Sequence, residues 1–526
     1  MTGHQADAAR GEHREDSPLI APDVRDKRLD KRANEALLIL TVVVLFVALG
    51  DELLDSPMTR ITEAVICYRH YEHADPSKLL IGRDGIGPGA IGGVDERHCK
   101  ADAVQSELAL LRGWQYSFDS IPGLLLAVPI GWAADRYGRK PFGLVALAGF
   151  VLQGAWPQFV TWFWQAFDIR AVWLSTFSGL MAGGIDVANT LFFVMVSDVA
   201  SEARRADIFF QMGAFGLGAM LTMPPLSAWL MQISSPWIPA LMGTMLKVAG
   251  VVALSFCPET LCFHDKQSEA SLGQPQPSGG SNDNNDGDHD NDGMHPSSRK
   301  QGWKGSWLDK LGESVTFLRN DWRVAALIVV FFGHALVGRG RLLVLQYASR
   351  RYSLSISEAT LLSTARTVVM FLLYLAIFPC ISKFMMRRPL AMSAQKKDLY
   401  LARASYILSS VGWSLVGAAP NIPLAAVSLG IAALGQGTTL LTRSFLASLL
   451  PPHQIARAYS LISVVEMVGG MLGSPALAAI FAHGLSLGGQ WIGLPFFVIG
   501  LVSAAFTLVM FAVGLRRNEI GCAEET

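Results

Sequence analysis

The stretch GWAADRYGRKP, residues 131–141, sets one acid and three bases between two apolar runs, SIPGLLLAVPI before it and FGLVALAGFVLQGAW after it. Charges placed at bilayer depth cost about 2.5–3.5 kcal/mol each on insertion scales. Asp135, Arg136, Arg139 and Lys140 therefore read as a short polar turn between two segments that cross a membrane. Gly131 would let the first segment approach a neighbour, and Gly138 would permit the tight reversal.

Working outward, the same alternation recurs along the chain. The 526 residues are 51% hydrophobic and only 16% charged, against about a quarter charged in soluble domains. Apolar runs of about 18 or more residues, each able to span a bilayer of about 30 Å, predict an all-α membrane protein with twelve transmembrane helices. The first six fall near 35–55, 112–133, 141–163, 171–199, 207–232 and 238–258; the second six near 323–348, 357–380, 401–419, 421–446, 457–482 and 490–514. This divides the chain into a tail (1–34), a first six-helix bundle (35–260) with a long outside loop near 56–111, a linker (261–322), a second bundle (323–515) and a final tail (516–526). The linker run SLGQPQPSGGSNDNNDGDHDNDGMHPSSRK is polar and poor in large apolar residues, so it reads as a solvated, disordered connector. Its acids lack the spacing of a calcium loop.

Basic residues fix the expected orientation. They crowd the first tail, the 131–141 turn, both ends of the linker and the connection between helices 8 and 9, whereas the 5–6, 9–10 and 11–12 connections hold no Lys or Arg. Both tails and the linker are then cytosolic. The first tail has no apolar core and is not expected to be a signal peptide. Lys+Arg and Asp+Glu balance at 43 each, which gives no reason to expect nucleic acid. Cys67 and Cys99 fall in the outside loop, so a disulfide between them is a candidate. No N-x-[ST] sequon occurs.

The turn follows the pattern G-x-x-x-D-R-x-G-R-K and resembles the 2–3 loop motif of the major facilitator superfamily. The spans, the linker position and Pro258-Glu259-Thr260 after helix 6 extend the resemblance over the whole chain. It implies two bundles that rock about a central site, with Gly131, Asp135, Arg136, Gly138, Arg139 and Lys140 forming a gate. In that family the acid, here Asp135, meets the start of helix 11, here near Ala456 to Tyr459. The corresponding SKFMMRRPLAM between helices 8 and 9 keeps the bases and lacks the acid. In helix 5, Met223-Pro224-Pro225-Leu226-Ser227-Ala228 resembles the G-P-x-x-G-G motif of proton-driven exporters. Gly218, Pro224, Pro225 and Ser227 would pack and bend that helix. Helix 4 lacks the Arg such exporters often carry. LQYASRRYSLSISEA (345–359) and KKDLYLARAS (396–405) are similar to fungal facilitators distantly related to tetracycline exporters and proton-coupled folate importers.

Charged residues inside spans are the functional candidates. For protons or substrate these are Asp51, Glu52, Asp119, Asp186, His334, Arg366 and Glu466, with Lys247, Arg339 and Arg341 beside them. Arg443 reads as snorkelling, and Asp198 as a partner of Arg204 and Arg205. The resulting expectation is a monomeric, proton-coupled exporter of a hydrophobic metabolite, toxin or drug. A proton-coupled importer of a small nutrient is the alternative, and a non-transporting receptor a third. The membrane is the plasma membrane or, alternatively, the vacuolar one. No enzyme, cofactor or metal is expected: GLSLG (484–488) lacks the strand of a nucleophile elbow, GPGAIG (87–92) lacks a flanking strand and helix, and no P-loop occurs.

Overall fold

A computed structural model of the chain describes residues 22–181, 183–200, 202–260, 322–386, 394–450 and 452–513. The linker and most of both tails lie outside the described residues. Twelve principal helices follow in order: α1 (Pro22–Ala74), α2 (Asp102–Tyr137), α3 (Arg139–Trp162), α4 (Gly184–Val199), α5 (Glu202–Ile233), α6 (Trp237–Ser255), α7 (Trp322–Arg351), α8 (Ile356–Leu372), α9 (Ala394–Ala418), α10 (Ile422–Leu434), α11 (Pro452–Leu487) and α12 (Leu494–Ala512). A π turn carries α8 on into Phe378–Met386, and a 3-10 turn carries α10 on into Thr438–Leu449. Among the described residues no strand forms.

Eleven of the described helices are long and apolar enough to cross a membrane. The remaining one, α9, opens with Lys396, Lys397 and Asp398 and carries Arg403, which lowers its apolarity. It nonetheless packs along α12, and Arg403 donates to the carbonyls of Met510 and Val513 at the end of that helix, at 3.0 and 3.1 Å. The fold is two six-helix bundles, α1–α6 and α7–α12.

The largest departure from expectation is α1. Its 53 residues span about 80 Å at 1.5 Å per residue, far beyond a bilayer. The sequence suggested a long outside loop near 56–111, and Pro57, Arg60 and Glu63 do interrupt the apolar run there. The helix continues because these polar groups find partners. Glu63 is fully buried and accepts from Arg60 at 3.2 Å, Lys100 at 2.8 Å and Gln105 at 2.6 Å. The α1–α2 connection is thus residues 75–101, and Cys67 and Cys99 are joined in a disulfide with Cα atoms 5.1 Å apart.

The bundles meet where α2 lies along α11 and α5 along α8. Among the described residues, the hydrogen bonds between them lie toward the α1–α2 end. Arg350 donates to Asp102 at 2.6 Å, the Ile356 amide to Glu96 at 2.8 Å, and Ser117 to the Met471 carbonyl at 2.8 Å. A small residue allows the close approach. A Cβ on Gly113 of α2 would stand 2.7 Å from the Ala478 Cβ and 3.0 Å from the Ser474 carbonyl on α11.

Candidate substrate cavity

Asp51, Glu52 and Asp55 fall on one face of α1 because helical neighbours recur at three and four residues. They line a cavity of about 330 Å3 between the bundles. Asp119 of α2, Asp186 of α4 and Lys247 of α6 reach it from the same bundle, and Arg339 and Arg341 of α7 from the other. Leu54, Met58, Phe150 and Ile185 add apolar wall.

Two carboxylates are committed to ion pairs. Asp51 accepts from the buried Lys247 at 2.5 Å, so Lys247 is an internal counter-ion. Asp55 accepts from Arg112 at 2.5 Å and from the Tyr116 hydroxyl at 3.2 Å. Asp119 is held differently, by the hydroxyls of Ser175 and Thr176, both at 3.2 Å. That arrangement depends on a break in the fourth span. The sequence suggested one helix over 171–199. Instead a 3-10 turn, Ile169–Ser175, and a single turn, Thr176–Gly179, precede α4. Gly183 and Gly184 between them have φ of +84° and +69°, values that a side chain rarely adopts. The break presents Ser175 and Thr176 to Asp119 and puts Asp186 in the first turn of α4. Irregular backbone at membrane depth is tolerated where it adjoins protein or a cavity.

The remaining candidates lie elsewhere in the second bundle. His334 Nε2 is 2.6 Å from the Thr439 hydroxyl. Glu466 accepts from Arg443 at 2.5 Å, so Arg443 is an ion-pair partner and not a snorkelling group. Arg366 lines a smaller adjoining pocket.

At the α2–α3 turn the charges organise their own bundle. Gly138 has φ +107°, which lets the chain reverse in one residue. Glu259, just after α6, then accepts from the Arg139 amide at 2.9 Å and the Lys140 amide at 3.2 Å. It supplies α3 with the negative cap that its free N–H groups attract. Lys140 Nζ donates to the Ser255 carbonyl at 2.7 Å. The buried Arg139 pairs with Asp198 and lies 3.3 Å from Asp135. Asp198 therefore meets Arg139; the side chains of Arg204 and Arg205 lie outside the described residues. So do those of Ala456 and Arg457, where the sequence placed the partner of Asp135. Asp135 and Arg136 are exposed.

The family model of the Major Facilitator Superfamily matches residues 109–474. The chain belongs to the Major Facilitator Superfamily. Among curated superfamily members it is 28% identical to the "MFS efflux pump atnC" of Emericella nidulans, over 98% of this chain and 96% of that protein. It is 28% identical to the "MFS-type transporeter aprT" of Aspergillus flavus over 97% and 95%, and 28% identical to the "Efflux pump ustT" of the same species over 91% and 88%. Among solved structures it resembles a D-xylose–proton symporter at 12% identity and TM-score 0.57, covering 91% of this chain and 97% of the other. It also resembles a nucleoside transporter at 12% identity and TM-score 0.55, covering 91% and 98%. These relatives are transporters and not enzymes.

Against the superfamily motifs, two packing expectations fail in this conformation. A Cβ on Gly131 or on Gly213, Gly216 or Gly218 would meet nothing within 4 Å. These glycines face open space, and the close approach of α2 to α11 is made at Gly113 instead. In α5 the helix runs unbroken through Pro224 and Pro225, and Ser227 donates to the Leu53 carbonyl of α1 at 3.2 Å. Sequence reasoning missed Asp55 and Arg112 because they fell on the end residues of the spans 35–55 and 112–133, and Tyr116 because only ionisable groups expensive in a membrane counted as candidates. The i, i+4 relation of Asp51 to Asp55 was the available signal.

Proposed function

We propose that this transporter exports a small organic compound in exchange for protons, with the α2–α3 turn on the cytosolic side of the plasma membrane. The observation that carries the reading is the charged cavity between the bundles, in which Asp119 is held by hydroxyls. Asp51 and Asp55 would have to break an ion pair to take up a proton. Asp119 exchanges one without doing so, which suits a carrier that must load and unload in each cycle. The basic α2–α3 turn supports the orientation. Export is favoured by the relatives named as efflux pumps. Asp135, which among the described residues meets only Arg139 of its own turn, and Arg136 are exposed at the cytosolic mouth, where they would form the latch between bundles in the opposite state.

The test uses inside-out vesicles carrying the transporter, a panel of radiolabelled amphipathic compounds and an imposed pH gradient. At least one compound should accumulate when the vesicle interior is acid. Asp119→Asn should abolish that accumulation while sparing exchange of the same compound at equal pH. If Asp119→Asn still concentrates substrate, the proton travels on another group. Accumulation only with the opposite gradient would make the protein an importer.

A further inference from the structure

A second pocket, of about 80 Å3, opens beside the main cavity. It shares Glu52, Asp55 and Arg341 with that cavity and is completed by Arg366, Ser363 and Thr367 of α8. Arg366 is 6% exposed, and its Nε is buried with no hydrogen-bond partner. Among the described residues neither Arg341 nor Arg366 has a carboxylate within ion-pair distance. The charge of Asp55 is already taken by Arg112. Two guanidiniums against the one remaining carboxylate, Glu52, leave the pocket with a single surplus positive charge. A buried charge without a partner is costly, and proteins that keep one hold it for a ligand or an ion.

From this we infer that the exported compound is an organic anion, whose single charged head enters the pocket between Arg341 and Arg366 while its apolar body occupies the larger cavity. The inference rests on the transport reading above. Guanidinium groups suit a planar carboxylate because they donate two parallel hydrogen bonds. The Thr367 hydroxyl lines the same pocket and can donate to a remaining lone pair, whereas the Ser363 hydroxyl already donates to the Thr360 carbonyl at 2.8 Å. The small volume admits the head group alone. The walls contributed by Leu54, Met58 and Phe150 then accept the carbon skeleton.

The experiment measures the melting temperature of the purified full-length transporter with benzoate, octanoate and naphthoate, each matched with its primary amide. The acid should stabilise the protein at concentrations at least tenfold below its amide in one or more pairs. Arg341→Gln, whose side chain is exposed to the cavity, should abolish that preference without lowering the unliganded melting temperature. Arg366→Gln should do the same if it folds. No acid preference in any pair overturns the inference, as does a preference that survives in Arg341→Gln. The vesicle assay separates the two readings. Proton-driven export confined to neutral or cationic compounds overturns the anion site and leaves transport standing. Acid-selective stabilisation without flux supports the site and defeats transport.

Discussion

Single residues reveal what each charge does, and Glu259 is the clearest case. Its carboxylate caps α3 from a position just beyond α6. Caps of this kind contribute about 0.5–2 kcal/mol, and the helix dipole adds to a charged one. Glu259→Ala should lower the melting temperature of the purified protein by several degrees, and Glu259→Gln, which keeps the acceptor oxygen, by less. Equal melting of all three proteins would show that water serves the α3 amides as well. The sequence displayed Glu259 only as part of a familiar tripeptide, with nothing to say what it would touch. The charged residues of the spans were legible as candidates because each is expensive there. Their partners were not. Lys247 meets Asp51 over 196 positions of sequence, and no local pattern announces a pair so distant.

At the scale of elements, α1 and α4 mark where periodicity misled. In α1 polar residues looked like an end, yet partners from residues 96–105 satisfy them and the helix goes on. In α4 a continuous apolar pattern concealed a break that only the adjacent glycines hinted at. Tight packing was equally hard to assign, because a helix shows its small residues without showing which of them touch. Gly113→Ile should force α2 away from Ala478 and Ser474 and open the α1–α2 end. Labelling of a reporter, Leu342→Cys, by an impermeant maleimide from that side should then rise several-fold. Gly218→Ala, which meets open space, should leave labelling unchanged. Equal labelling in Gly113→Ile would mean the bundles have slack there. The disulfide acts on the same end. Its 32-residue separation corresponds to about 3–4 kcal/mol of chain-entropy stabilisation. Reductant should therefore lower the melting temperature of the native protein and have no effect on the Cys67→Ser/Cys99→Ser double variant. Equal sensitivity in both would place the effect at another thiol.

For the whole molecule, two bundles and their order were readable from the count and spacing of apolar runs, whereas the end at which they close was not. That closure depends partly on Glu96, outside the spans. Burial alone would raise its pKa, but Arg60, Lys100 and the Ile356 amide outweigh burial and hold the carboxyl below the ordinary glutamate value. A depressed folded-state pKa stabilises the closed end above the unfolded value of about 4.3, and the contribution disappears as pH falls through the folded value. Spin labels at Asp84→Cys and Gln490→Cys, with the other free cysteines replaced by serine, should report one narrow distance distribution at neutral pH. A longer, broader distribution should grow in only below the ordinary carboxylate range. A distribution that broadens already near pH 6 would assign the closure to a different group.

The Glu259 cap also has a meaning in time. Lys140 precedes it by 119 residues, and ribosomes add about 5–20 residues per second. For roughly 6–24 seconds, then, each newly made chain must hold the start of α3 without the carboxylate that will finally serve it. Water at the membrane face has to satisfy those amides in the interval. The first bundle is chemically complete only once its last residues have emerged, so the order of synthesis places its final bond at the close of its own half.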